Sequence, residues 1–105
     1  MANLGPGTTG IGAYIHVFQN VDRRARHGPR IKVFPGNPGS GNATLVVVPG
    51  APGEKAGVRG LATVPGETLR RALAFAELNW QSLGRYWADP TVTIDELLAV
   101  LVPVP

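Results

Sequence analysis

Alternation of apolar and polar positions dominates the first half of the chain, and a four-and-three spacing dominates the second. In Ala13-Tyr-Ile-His-Val-Phe18, Ala13, Ile15 and Val17 fall on one face and Tyr14, His16 and Phe18 on the other, as successive side chains of a strand do. This predicts a strand over 11–19. Arg30-Ile-Lys-Val-Phe34 alternates charged with apolar positions and predicts a half-exposed strand, with Ile31 and Val33 inward and Arg30 and Lys32 outward. Ala43-Thr-Leu-Val-Val-Val48 is more continuously apolar and predicts a third, central strand. Leu61-Ala-Thr-Val64 is a candidate for a short fourth.

From Glu67 to Leu83 there is neither glycine nor proline. Leu69, Leu73, Ala76, Trp80, Leu83 and Trp87 recur at alternating spacings of four and three, which draws one apolar stripe along a helix. Pro65 and Gly66 mark its start, and Glu67 favours the first turn through the helix dipole. Because Trp87 keeps the stripe, the helix is predicted to run through Gly84 to Ala88, roughly 33 Å at about 1.5 Å per residue. Trp80 and Trp87 read as core, or as an interface that buries one of them against a partner. Asp89-Pro90 breaks the chain, and Thr93-Ile-Asp-Glu96 fits a capping box, so 94–100 is a short second helix or, continuing into Leu101-Val-Pro-Val-Pro105, an extended apolar tail. That end either packs back on the domain or meets a partner.

Fourteen glycines and ten prolines bring the 105-residue chain close to the roughly 25–30% at which low-complexity disorder is the default. A hydrophobic fraction of 44% argues for a packed core instead. The glycines and prolines also cluster, in the first twelve residues and in the loops at 35–41 and 49–60. The expected organisation is therefore a flexible lead-in over 1–12, one α+β domain over 13–89, and a short helix or extended segment over 90–105. The domain itself is expected to be a three- to four-stranded, mostly antiparallel sheet packed by one long helix.

Charge changes the picture locally. The net charge is +3. Arg23, Arg24, Arg26, Arg30 and Lys32 hold five of the ten basic residues within ten positions, beside Asp22 alone. Such a segment suits a nucleic-acid backbone or an acidic protein surface. Tyr14, Phe18 and Phe34, with His16, offer stacking faces if their side of the sheet is open. One helix covers one sheet face, so the other calls for an occupant: the C-terminal segment, a second subunit, a cognate small protein or nucleic acid.

Other chemistries find little purchase. With no cysteine, disulfides, Cys-zinc sites and thiol nucleophiles are excluded. His16 and His27 are the two histidines, and nothing in their spacing calls for a metal. No Gly-x-Ser-x-Gly elbow surrounds Ser40 or Ser82, and neither glycine-rich loop carries a phosphate-binding signature. No cofactor is expected. The N-terminus lacks the charged-then-apolar pattern of a secretory leader, and no apolar run approaches the roughly 20 residues of a membrane span. These features point to a cytoplasmic protein with no membrane contact.

The order strand, His-x-Pro turn, strand, strand, aromatic helix resembles the small bacterial domain of unknown function numbered 4160. Tyr14-Ile-His-Val-Phe18 is similar to that family's first strand, His27-Gly-Pro29 to the opening of its His-x-Pro-His-x-His signature, and Ala43-Thr-Leu45 to its next strand. Leu69, Ala72, Asn79, Leu83 and Trp87 fit its helix pattern, so the likeness spans 11–89. Arg30 and Lys32 stand where the second and third signature histidines would be, and the loops at 35–42 and 49–60 are longer. The resemblance implies the α+β fold and an association with two-gene modules of toxin–antitoxin type; it implies no reaction. The function expected is a non-enzymatic binding protein of a toxin–antitoxin-like or phage-defence module, acting through Arg23–Lys32. The alternatives are a small toxin enzyme such as a ribonuclease, with His27 as acid or base and Arg30 or Lys32 on the phosphate, and a purely protein-binding inhibitor or structural subunit.

Overall fold

A computed structural model describes residues 2–20, 28–36 and 42–105. The elements are β1 (Ala2–Leu4), α1 (Pro6–Thr9), β2 (Ile15–Val17), β3 (Arg30–Val33), β4 (Thr44–Val47), β5 (Gly57–Arg59), α2 (Gly66–Leu78), α3 (Trp80–Ala88) and α4 (Ile94–Val100). The strands form one antiparallel sheet in chain order, β1 to β5. The fold is α+β as the pattern predicts, with more strands and more helices than expected.

Alternation sorts the sheet into two unlike faces. Leu4, Ile15, Val17, Ile31, Val33 and Val46 point inward and are buried against Ala72, Phe75 and Ala76 of α2, Leu83 and Tyr86 of α3 and Leu97 of α4. Each such apolar side chain contributes about 1.5–3 kcal/mol on leaving water. The register puts Asn3, His16, Lys32, Leu45 and Arg59 in one row across the opposite face, with Arg30, Val47 and Gly57 in the next. Val47 is 40% exposed there. The predicted inward and outward sides of Arg30–Val33 are as observed. The middle position belongs to β3, however, and β4 lies one strand further out.

The lead-in expected over 1–12 contributes structure. Asn3 and Leu4 pair with His16 and Ile15, and Leu4 and Ile11 are buried. Pro6 starts α1 at the helical position that needs no backbone N–H. Gly10 ends it at φ 77°, a left-handed turn that favours glycine. The buried Thr9 hydroxyl accepts a hydrogen bond from the Ile11 N–H at 3.2 Å.

The fourth strand falls on Gly57–Arg59 and not on Leu61–Val64. Val58 lies opposite Val46, and Gly60 at φ 83° then turns the chain away, leaving Leu61 87% exposed. Thr63 instead donates its N–H to the Thr44 hydroxyl at 2.7 Å and its own hydroxyl to the Asn42 carbonyl at 2.8 Å.

The long helix is broken at Asn79. Its backbone N–H still reaches the Phe75 carbonyl at 3.0 Å, and the Leu83 N–H reaches the Asn79 carbonyl at 2.9 Å, so the apolar stripe continues across the break. The Asn79 side chain is buried and clamps the C-terminal segment. Its Nδ2 donates to the carbonyls of Phe75 at 3.1 Å and Val102 at 2.8 Å, and its Oδ1 accepts from the Val102 N–H at 2.8 Å. The predicted capping box at Thr93 and Glu96 is present and starts α4.

Beyond α4 the chain packs back. The Val104 N–H donates to the Thr9 carbonyl at 2.9 Å, and Arg71 Nη1 donates to the carbonyl oxygens of Gly10 and Pro105 at 3.2 and 2.9 Å. A Cβ on Gly10 would collide with the Val104 carbonyl oxygen, whereas one on Gly53, also left-handed, would meet open space. Gly53→Ala is therefore expected to cost roughly 1–2 kcal/mol for its backbone alone. Gly10→Ala should cost clearly more, because the tail must also move. Urea midpoints of the two variants, read side by side, check this; equal losses would mean the tail does not press on Gly10.

Candidate functional site

The outer face of the sheet brings Arg30, Lys32, His16 and Phe18 of the predicted residues together, and period-two alternation places the first three on one side. Arg30 and Lys32 project from β3 on the same side as His16 on β2. Phe18 follows β2, and both cations lie against its ring. The Arg30 Cζ is 4.7 Å from the Phe18 centroid, and the Lys32 Nζ is 5.4 Å from it. The Arg30 Cζ is also 5.2 Å from the Trp87 ring. Trp87 reaches this position because the chain after β2 docks on the end of α3, with the Asn20 N–H donating to the Trp87 carbonyl at 3.0 Å.

This geometry changes the part the aromatics play. Phe18 and Trp87, expected as stacking or interface residues, both lie against the Arg30 guanidinium, an arrangement in which the ring faces hold a cation. Phe34 is buried and meets the His16 ring edge-on, with centroids 4.5 Å apart. Trp80 packs on the core as a partly buried neighbour. Of the five, Tyr14 alone is classed as exposed; it lines a cleft of about 350 Å³ with Phe34, Pro35 and Pro65.

His16 sits in a cationic and apolar setting. Burial first, then the Lys32 charge and the chain's amino-terminal charge, hold its pKa below the usual 6.5. The unfolded chain then takes up the proton before the folded one, so His16 destabilises the fold as pH falls through that value. Its Nε2 and the Nη1 of Arg30 are the two buried side-chain polar atoms without a hydrogen-bond partner among the described residues.

The charge on this face is one-sided. Among the described residues no strand carries an aspartate or glutamate, while Arg30, Lys32 and Arg59 all lie on strands. The carboxylates whose partners are described lie on other elements. Glu67 pairs with Arg70 and Arg71, Glu77 accepts from the Ala56 N–H and lies 3.8 Å from Lys55, Asp89 accepts from Thr91, and Glu96 caps α4. Among the described residues no ion pair involves Arg30 or Lys32, and no three metal-ligating side chains come together. Arg23, Arg24, Arg26 and His27 belong to the connection between β2 and β3 and lie outside the described residues.

Arg59 was not visible in the sequence pattern, and Trp87, expected in the core or at an interface with a partner, contacts a cation of its own chain. Arg59 stands in a stretch that reads as a Gly/Pro loop, although Gly57-Val-Arg59 does alternate. Trp87 reads as part of the helical stripe. The usable signal was its neighbour: Tyr86 and Trp87 are consecutive, so on a helix they point about 100° apart and only one can face the core centre. Among the described residues no helix is long and apolar enough to cross a membrane. Comparison with protein-family models, curated proteins and solved structures finds no match for this chain.

Proposed function

We propose that this protein binds single-stranded nucleic acid through the outer face of its sheet and acts as a binding protein, not as an enzyme. The observation that carries the reading is the charge of that face: its strand-borne ionic side chains, Arg30, Lys32 and Arg59, are all cationic. A polyanion docking there releases its condensed counterions, which favours binding without base recognition. The sequence places three further arginines, Arg23, Arg24 and Arg26, in the adjoining connection. The resemblance to the domain of unknown function numbered 4160 extends the proposal to a cytoplasmic toxin–antitoxin-like or phage-defence module.

The test is fluorescence anisotropy with a short single-stranded RNA and a DNA of the same sequence across a salt series. Affinity should fall with salt, with a slope of about −0.7 per phosphate contacted. Lys32→Ala and Arg59→Ala should each flatten that slope by about one such contact, while Arg70→Ala on α2 leaves it unchanged. Binding indifferent to salt and to these changes overturns the proposal. So does a stoichiometric complex with an acidic protein in the absence of nucleic-acid affinity. RNA cleavage that His27→Ala abolishes would make the protein a ribonuclease instead.

A further inference from the structure

We infer that the outer face seats one phosphodiester group of the bound strand on Lys32 and Arg30, and that His16 beside them gains a proton as the phosphate docks. The inference rests on the nucleic-acid reading above and names the contact at its centre. Three observations carry it. First, two cations share one ring: Arg30 and Lys32 lie 4.7 and 5.4 Å from the Phe18 centroid. Like charges gathered this closely repel each other, and an anion between them relieves the repulsion. Second, Arg30 Nη1 is buried without an acceptor among the described residues, and the guanidinium lies against both the Phe18 and the Trp87 rings, so its orientation is set before any ligand arrives. Guanidinium and ammonium together suit the several oxygens of a phosphate. Third, His16 is the cross-strand neighbour of Lys32, and its Nε2 is buried without a partner among the described residues.

The surroundings of His16 make it responsive. Lys32 faces it from β3 and uncharged Asn3 from β1, Arg30 lies two residues along β3 from Lys32, and Phe34 closes one edge of its ring. The amino-terminal charge adds to that of Lys32 in disfavouring the imidazolium. Among the described residues no strand carboxylate offsets these cations. A phosphate on Lys32 supplies the missing negative charge, so the imidazole binds its proton more readily in the complex than in the free protein. By linkage, binding takes up protons and tightens as pH falls.

The experiment follows the His16 imidazole by NMR through a pH titration, using His27→Gln so that a single histidine is observed. It is run free, with inorganic phosphate, with a single-stranded oligonucleotide, and with the same oligonucleotide carrying an uncharged methylphosphonate backbone. The phosphodiester strand should raise the His16 midpoint by about one pH unit, which makes binding about tenfold tighter on the acid side than on the basic side. The uncharged strand should leave the midpoint in place, and Lys32→Ala should abolish the rise. If the charged strand binds and His16 does not move, or moves equally in Lys32→Ala, the seat is overturned while the broader binding reading stands. If inorganic phosphate moves His16 in a Lys32-dependent way and no oligonucleotide binds, the phosphate seat stands and the nucleic-acid reading falls. If no oligonucleotide binds and neither probe moves His16, both fall.

Discussion

Phe75→Ala is expected to remove about 3–5 kcal/mol of stability, a large share of the roughly 5–15 kcal/mol that holds a small protein folded. Phe75 is 0% exposed, on the face of α2 that also carries Ala72 and Ala76. The two alanines are fully buried and small, so they let the helix lie close to the sheet. Phe75 is then the one large fully buried side chain of α2, and it shares the core with Ile31, Val33 and Val46. Its loss leaves a cavity that the neighbouring alanines cannot fill, which is the condition under which truncation costs most. Urea unfolding should show a lower midpoint with an unchanged slope. Leu78→Ala, at an exposed position of the same helix, should stay within about 0.5 kcal/mol. A loss below 1 kcal/mol for Phe75→Ala would contradict the packing of α2 on the sheet.

Asn79→Ala is expected to cost about 2–3 kcal/mol, through hydrogen bonds and not through volume. The side chain is 3% exposed and satisfies the Val102 N–H, the Val102 carbonyl and the Phe75 carbonyl together. Alanine removes all three hydrogen bonds at once, and each is worth about 0.5–1.5 kcal/mol net. Asn79→Asp separates the contributions: it keeps the acceptor for the Val102 N–H and loses the two donated bonds. Hydrogen exchange gives the distinguishing readout. In the alanine variant the Val102 amide should lose protection, and so should the Val104 amide that bonds Thr9, because the tail is released as a unit. Unchanged protection at both amides would show that the tail is held by other contacts.

Much of the sheet could be read from alternation, because β3 obeys it without exception: Arg30 and Lys32 out, Ile31 and Val33 in. That single strand gave two of the residues at the centre of the candidate site. The parts that escaped share a cause. β1 and β5 are three-residue strands in glycine-rich stretches, too short to show a period, and they exist because Leu4 and Val58 find partners on β2 and β4. Their information is tertiary and not local. Asn79 escaped for the opposite reason. The stripe from Leu69 to Leu83 runs through it undisturbed, and its role appears only when Val102, far along the chain, comes within reach of its amide. Trp87 matched the helical period and yet lies against Arg30, because period alone cannot say which of two adjacent aromatics the core will take.

The rung between Thr9 and Val104 also has a consequence for the order of events in folding. Neighbouring strands of this sheet are neighbours in the chain, so the meander from β1 to β5 can zip up through short loop closures. The Thr9–Val104 bond instead ties the end of α1 to the segment beyond α4. On a ribosome, which adds residues from the N-terminus onward, α1 is made well before Val104 and must wait for it before the Thr9 carbonyl meets its partner. A chain truncated before Val104 can assemble its hairpins, but it leaves the turn at Thr9 unlatched.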